Sequence, residues 1–155
     1  MENKELFTPE WRVEMVEKYP FLQCYDIYGS GKELPPEQCI WLDHLPDGWV
    51  IRFGEEMCKE LKEILVKADF LEEYKISQVK SKFGGLRWYD NMSYSNVEYR
   101  EWSDKYEELS ELTCELCGKP AKWQTMGWIM SLCDKCKNEL NDDYPQKFYE
   151  LKVTA

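Results

Sequence analysis

Cys114, Cys117, Cys133 and Cys136 form two Cys-x-x-Cys pairs separated by fifteen residues, within the segment TCELCGKPAKWQTMGWIMSLCDKC. Each pair can turn both of its sulfurs toward one point. Two such knuckles supply the four thiolates of a tetrahedral zinc site. Four ordinary buried thiols would not produce this paired spacing. Four thiolates also close the coordination sphere and leave no position for water, so the expected zinc is structural rather than hydrolytic. Its binding contributes folding free energy on the order of 10 kcal/mol. A nuclease built on such a unit needs a His or comparable base beside a second metal. The single His of this chain, His44, lies far upstream of the first knuckle.

A second constellation is basic. Lys75, Lys80, Lys82 and Arg87 gather around Gly84-Gly85, with Trp88 and Tyr89 in the same stretch. Cations beside aromatic rings and a glycine turn can hold a phosphate, a nucleotide or a single strand. In that reading Lys80, Lys82 and Arg87 line the site and Trp88 or Tyr89 forms the stacking wall. The competing reading is an edge hairpin whose lysines face solvent and block aggregation. Cys24, Cys39 and Cys58 remain, with His44 near the first two in sequence. Cys24, Cys39 and His44 could build a second metal site, but their spacings match no compact motif, and single cysteines are commonly core residues. No Walker loop, GxGxxG, HExxH or GxSxG pattern is present. A binding role is therefore favoured over an enzymatic one.

Composition sets the frame. The chain has 155 residues, seven Trp, ten Tyr and a formal charge of -10, enough for one core with a zinc-stapled appendage. Residues 1 to 112 carry the whole negative excess, with 14 Lys and Arg against 24 Asp and Glu. Such a surface repels nucleic acid at long range and suits a protein partner with a basic face. No apolar run approaches the roughly 20 residues of a membrane span, so no membrane role is expected. The start, MENKELFTPEW, lacks the apolar core of a signal peptide. Seven cysteines, four of them in a metal pattern, fit a reducing cytoplasm.

The elements that must position these residues follow from periodicity. Trp11, Val13, Met15 and Val16 mark a short helix capped by Thr8, with Pro9 at its first position and Pro20 beyond its end. Residues 24 to 48 read as an irregular connection pinned by Ile40, Trp41 and Leu42. Trp49, Phe53, Met57, Leu61, Ile64, Leu65 and Ala68 follow helical spacing over residues 48 to 68, with Asp47 as a candidate cap. Residues 74 to 83 and 86 to 90 alternate around Gly84-Gly85, a hairpin signal because primed turns need positive φ. Val79, Ser81 and Phe83 are predicted to share its inner face. Tyr99, Trp102, Tyr106 and Leu109 place a second main helix over residues 95 to 112. The predicted core unites Trp49, Phe53, Met57, Leu61, Phe83, Leu86, Trp102 and Tyr106.

After the first knuckle, residues 121 to 132 can form a hairpin turning near Met126-Gly127, and the second cysteine pair opens a helix broken near Pro145. Knuckle, hairpin and helix in that order make a treble clef. A zinc ribbon ending in a strand is the alternative, and Leu140, Tyr144, Phe148 and Tyr149 favour the helix. The fold predicted is α+β: two main helices on a small antiparallel sheet over residues 1 to 112, with a four-cysteine unit over residues 113 to 155 packed on it.

The stretch QVKSKFGGLRWYD resembles the QVKEKFGGLRFY segment of an uncharacterised family of small phage and prophage proteins. KYPFL, LPDGWVIRF, CELCGKP and GWIMSLCDKC fall in the order of that family's other segments. The chain departs by carrying Pro46 where the family's GDGW helix start has its first Gly. The resemblance spans roughly residues 18 to 137. It implies a phage-type origin and zinc content, and it transfers no catalytic residue. Together these readings point to a zinc-stabilised protein that binds and modulates or inhibits a host protein, for example a defence protein. The alternative is a nucleic-acid or nucleotide binder using the basic hairpin.

Overall fold

A computed structural model describes residues 5–26, 28–143 and 145–151. Helix α1 (Pro9–Lys18) begins as its sequence dictates: the Thr8 hydroxyl accepts from Trp11 N–H, and Pro9 occupies the first turn. It buries Trp11 and Met15. The connection to the next helix is ordered by two isolated bridges, Gln23 with Ile40 and Tyr25 with Glu33. A 3-10 turn over Trp41–His44 follows. Ile40, Trp41 and Leu42 are buried, so this segment is indeed pinned to the core.

The first main helix is composite. An α turn, α2 (Asp47–Trp49), runs through a π segment (Val50–Gly54) into α3 (Glu55–Lys67). Asp47 is its first residue rather than its cap, and no side chain caps this end. Trp49, Val50, Phe53, Met57, Leu61 and Leu65 face inward, whereas Ala68 lies beyond the helix and is exposed. Helix α4 (Val97–Glu111) starts at Asn96, whose side chain accepts from Tyr99 N–H. Its buried stripe carries an aromatic ladder. Tyr99 stacks on Trp102 at 5.6 Å, Trp102 meets Tyr106 at 5.8 Å, and Tyr106 meets Phe53 at 5.6 Å. Burying each such ring contributes about 1.5–3 kcal/mol. The indole N–H groups find partners where they are buried: Trp102 donates to Met57 O (2.9 Å) and Trp49 to Thr113 O (3.3 Å).

Strands β1 (Ile76–Lys82) and β2 (Gly85–Asp90) form the antiparallel hairpin on which α4 packs. Lys82 pairs with Gly85, so the turn residues are Phe83 and Gly84, one position earlier than the glycine pair implies. Both have positive φ, 55° and 77°, as a type I′ turn requires. This corrects one predicted core residue. Phe83 sits at the tip and is 67 % exposed, because a turn residue has no inner face to occupy. Val79, Leu86 and Trp88 are buried inside the hairpin, and a register irregularity between Ile76 and Gln78 turns Ile76 inward too.

The C-terminal unit has its own small core of Cys114, Leu132, Cys133 and Cys136. Strands β3 (Trp123–Thr125) and β4 (Ser131–Leu132) form the predicted hairpin, with Gly127 at φ 83° in its turn. Helix α5 (Asp134–Asp143) follows. Phe148 and Tyr149 do not extend this helix. They lie in β5 (Phe148–Glu150), which pairs antiparallel with β3. Pro145 lacks the N–H a helix needs and disfavours helical φ/ψ in the residue before it, and the chain returns to the open edge of β3. Tyr144 lies outside the described residues.

The unit is seated on the larger core by close backbone contact. Gly48 N–H donates to Glu115 O at 2.8 Å. A Cβ on Gly48 would stand 2.0 Å from Cys114 O, and one on Gly118 would stand 2.7 Å from Gly48 O. Glu115, 4 % exposed, knits three elements: its carboxylate accepts from Ser81 Oγ (2.7 Å) and Ser131 N–H (2.9 Å).

Candidate metal centre

The first knuckle follows α4 directly. Cys114 N–H donates to Lys119 O (2.7 Å) and Gly118 N–H returns to Cys114 O (3.0 Å). Gly118 closes this turn at φ 82°, a conformation that strains other residues. The second knuckle is the start of α5, where Lys137 N–H donates to Cys133 O (2.9 Å) and Cys136 N–H points at Cys133 Sγ (3.4 Å). Strand β4 links the knuckles, since Glu115 N–H of the first donates to Ser131 O at 2.9 Å and the strand runs straight into Cys133 of the second.

All four sulfurs lie within 4.8 Å of one another, and Cys117 Sγ is 3.6 Å from Cys133 Sγ. Cys114, Cys133 and Cys136 are buried and Cys117 is half-buried. Their acidities diverge. Burial opposes ionisation of Cys133, yet the Cys136 N–H and the neighbouring thiols hold it below the ordinary thiol value. Burial and the neighbouring thiols raise Cys136, and burial chiefly raises Cys117. Four sulfurs this close cannot all become thiolates without a compensating cation. The cluster can hold a metal ion, and knuckle, hairpin and helix occur in the treble-clef order.

The basic hairpin is rearranged relative to its sequence reading. Lys80 and Lys82 remain at the surface, with their ammonium groups 5.9 Å and 5.4 Å from the Tyr89 and Phe83 ring centres. Arg87 is not free: its guanidinium donates to Glu107 Oε1 (2.8 Å) and Leu86 O (3.1 Å). Trp88 is no stacking wall. It is 8 % exposed, edge-on to Trp102, and donates to the Tyr74 hydroxyl. Alternation explains this: Tyr89 is half outside at 45 % exposure, so its neighbour Trp88 points inward.

Tyr89 keeps an exposed ring, and two further exposed rings lie at the hairpin tips. Phe83 at the β1–β2 turn and Trp128 at the β3–β4 turn, 81 % exposed, border a cleft of about 340 Å³ lined also by Lys80, Ser81, Lys82, Gly127 and Ile129. Sequence reading missed both residues. No local signal marked Phe83, because its place in the turn follows from the pairing of Lys82 with Gly85. For Trp128 the signal was the neighbouring Gly127.

Cys58 is fully buried in the main core, where burial raises its thiol pKa. Cys24, Cys39 and His44 converge. Cys24 Sγ is 4.0 Å from Cys39 Sγ, which is 3.7 Å from His44 Nε2. No helix among the described residues is long and apolar enough to cross a membrane. No family model, curated protein or solved structure matches the chain.

Proposed function

We propose that the four-cysteine centre holds zinc and that the protein is a zinc-stabilised, phage-type binding protein that modulates or inhibits a host protein in the host cytoplasm. The metal assignment rests on the donor set. Four thiolates in tetrahedral array suit zinc, and sulfurs bound about 2.3 Å from a tetrahedral zinc stand roughly 3.8 Å apart. The phage-type origin rests on the QVKSKFGGLRWYD segment.

The observation that carries the binding role is the pair of exposed aromatics at the two hairpin tips. Phe83 is exposed and also held at φ 55°, a conformation that costs a bulky residue roughly 1–2 kcal/mol. The turn needs the positive φ but not an aromatic ring there, and the exposed ring adds nothing to the core. Aromatic anchors of this kind fill pockets at the centres of protein interfaces. Lys80 and Lys82 flank them on a protein of net charge -10, so the complementary surface is an apolar pocket with an acidic rim.

The test is capture from host lysate with tagged full-length chain, followed by reconstitution with the purified partner. Phe83→Ala with Trp128→Ala should lose the partner while keeping its metal and melting temperature. Retention of the same partner by that double variant would refute the reading. The second reading, a nucleic acid or nucleotide stacked on Phe83, Trp128 or Tyr89 beside Lys80 and Lys82, is separated by salt. Phosphate contacts weaken steeply as salt rises, and Lys80→Glu with Lys82→Glu should abolish them. That charge reversal changes stability by only about 0–1 kcal/mol per residue.

A further inference from the structure

Three donors outside the four-cysteine centre meet at one point: Cys24 Sγ, Cys39 Sγ and His44 Nε2. We infer that they form a second metal site, a Cys2His centre for a zinc-class divalent ion whose fourth position is open to solvent.

The geometry fits such an ion before any ion is placed. With sulfur about 2.3 Å and imidazole nitrogen about 2.05 Å from a tetrahedral zinc, the S···S edge is roughly 3.8 Å and the S···N edge roughly 3.6 Å. The observed edges are 4.0 Å and 3.7 Å. All three ligand atoms lie within 4.8 Å of one another. Two thiolates and a neutral imidazole balance the charge of one dication.

The three residues come from separate points of the connection, and each is positioned by its own device. The Gln23–Ile40 bridge sets Cys24 beside Cys39 across an antiparallel crossing. Leu34 N–H donates to Cys24 O at 2.9 Å and ties the intervening loop back. Cys39 lies two residues before the 3-10 turn Trp41–His44, and His44 is its last residue. That turn is clamped by Asp43, which accepts from Ile40 N–H (2.7 Å) and takes a two-pronged ion pair from Arg12 of α1 (3.0–3.1 Å). The Trp41 indole, buried in the core, holds the His44 ring at 5.0 Å. Ligands fixed by such outer contacts need little reorganisation to bind a metal. A buried histidine satisfied by the core would not be exposed, as His44 is, with its nitrogen aimed at a thiol.

Burial decides which side is open. Cys24 is buried, Cys39 half-buried and His44 exposed, so the fourth position faces outward. Three protein ligands with one exchangeable position is the pattern of a zinc that binds water or an external ligand, in contrast to the closed four-thiolate centre.

The experiment loads the purified full-length chain with Zn2+ under reducing, anaerobic conditions, removes free metal and counts what remains by mass spectrometry. The expected result is two zinc ions per chain, falling to one in Cys39→Ala with His44→Ala. X-ray absorption should average about three sulfurs and one nitrogen or oxygen per zinc in the native chain and about four sulfurs in the double variant. Cys114→Ala should lose the other ion, which separates failure of this site from failure of the zinc assignment above. Should the double variant not fold, the native count and ligand average still decide. A single zinc per native chain that Cys114→Ala removes, an average of four sulfurs, two zincs retained by the folded double variant, or a Cys24–Cys39 disulfide in protein isolated under reducing conditions would each overturn the inference.

Discussion

Gly48→Ala should loosen the metal unit from the main core without altering a ligand side chain. Gly48 lies where α2 meets the first knuckle backbone to backbone. A Cβ there would be 2.0 Å from Cys114 O, 2.7 Å from Glu115 C and 2.8 Å from Glu115 O. The obstacles are main-chain atoms in a turn, so no rotamer change relieves them. To restore ordinary contact the knuckle must recede by roughly 1.5 Å. That movement breaks the Gly48 N–H bond to Glu115 O (2.8 Å) and strains the Trp49 indole bond to Thr113 O (3.3 Å). Overpacking costs about 1–3 kcal/mol and each stranded buried donor about 1–3 kcal/mol. A net loss of about 3–5 kcal/mol is expected, which in a chain of this length lowers the melting temperature by roughly 6–20 °C. Gly54→Ala is the control, because its new Cβ would meet only side chains, Val50 Cγ1 at 3.1 Å and Leu42 Cδ1 at 3.8 Å. It sits in a helix, where Ala is favoured over Gly by about 0.5–1 kcal/mol. Thermal unfolding followed by circular dichroism reads both. A Gly48→Ala protein that melts with the native chain while Gly54→Ala does not would show that the close approach does not hold the unit in place.

Cys133→Ser should lose the four-cysteine metal and unfold residues 113–151 first, read as increased protease nicking there and as loss of one zinc per chain; unchanged metal content would count against the centre. Phe53→Ala removes a ring 2 % exposed between Trp49 and Tyr106 and should cost about 3–5 kcal/mol in a denaturant titration; a change below about 1 kcal/mol would mean that the aromatic ladder is not the stabilising core. Glu115 carries a pH signature: burial raises its pKa against the opposing bonds from Ser81 and Ser131. A carboxyl raised on folding contributes stability that is present below its unfolded pKa and lost as pH rises through the folded value. Glu115→Gln can accept from Ser131 N–H through its amide oxygen and donate to Ser81 Oγ through its amide nitrogen, so the native chain should lose stability relative to it as pH rises above the ordinary carboxyl value. A flat difference, or one of opposite sign, would refute this. Glu115→Ala strands the buried Ser131 N–H and should cost about 1–3 kcal/mol at low pH, where the native carboxyl is neutral.

Short-range signals were legible in the sequence because they are set by neighbours along the chain. The two Cys-x-x-Cys pairs are knuckles whatever surrounds them. Thr8 before Pro9 starts a helix by a bond within one turn. The apolar spacing of Trp49, Phe53, Met57 and Leu61, and of Tyr99, Trp102 and Tyr106, marks which helix faces are buried, because residues three and four apart share a face. The order of knuckle, hairpin and helix was readable for the same reason.

What depended on distant partners was decided by the tertiary structure. The hairpin's turn position follows from the pairing of Lys82 with Gly85, and it moved Phe83 from the predicted core to the surface. The same strand phase turned Trp88 inward against Trp102, while Glu107 of α4 claimed Arg87. Phe148 and Tyr149 became strand residues because β3, more than twenty positions earlier, had an unpaired edge. Cys24, Cys39 and His44 carry no spacing that announces a site. They meet because the Gln23–Ile40 bridge closes the connection and the Arg12–Asp43 ion pair clamps the turn. Local periodicity specifies what each segment is, and the contacts that close the chain on itself specify which side chains share a site, since each such contact depends on residues far apart in the sequence.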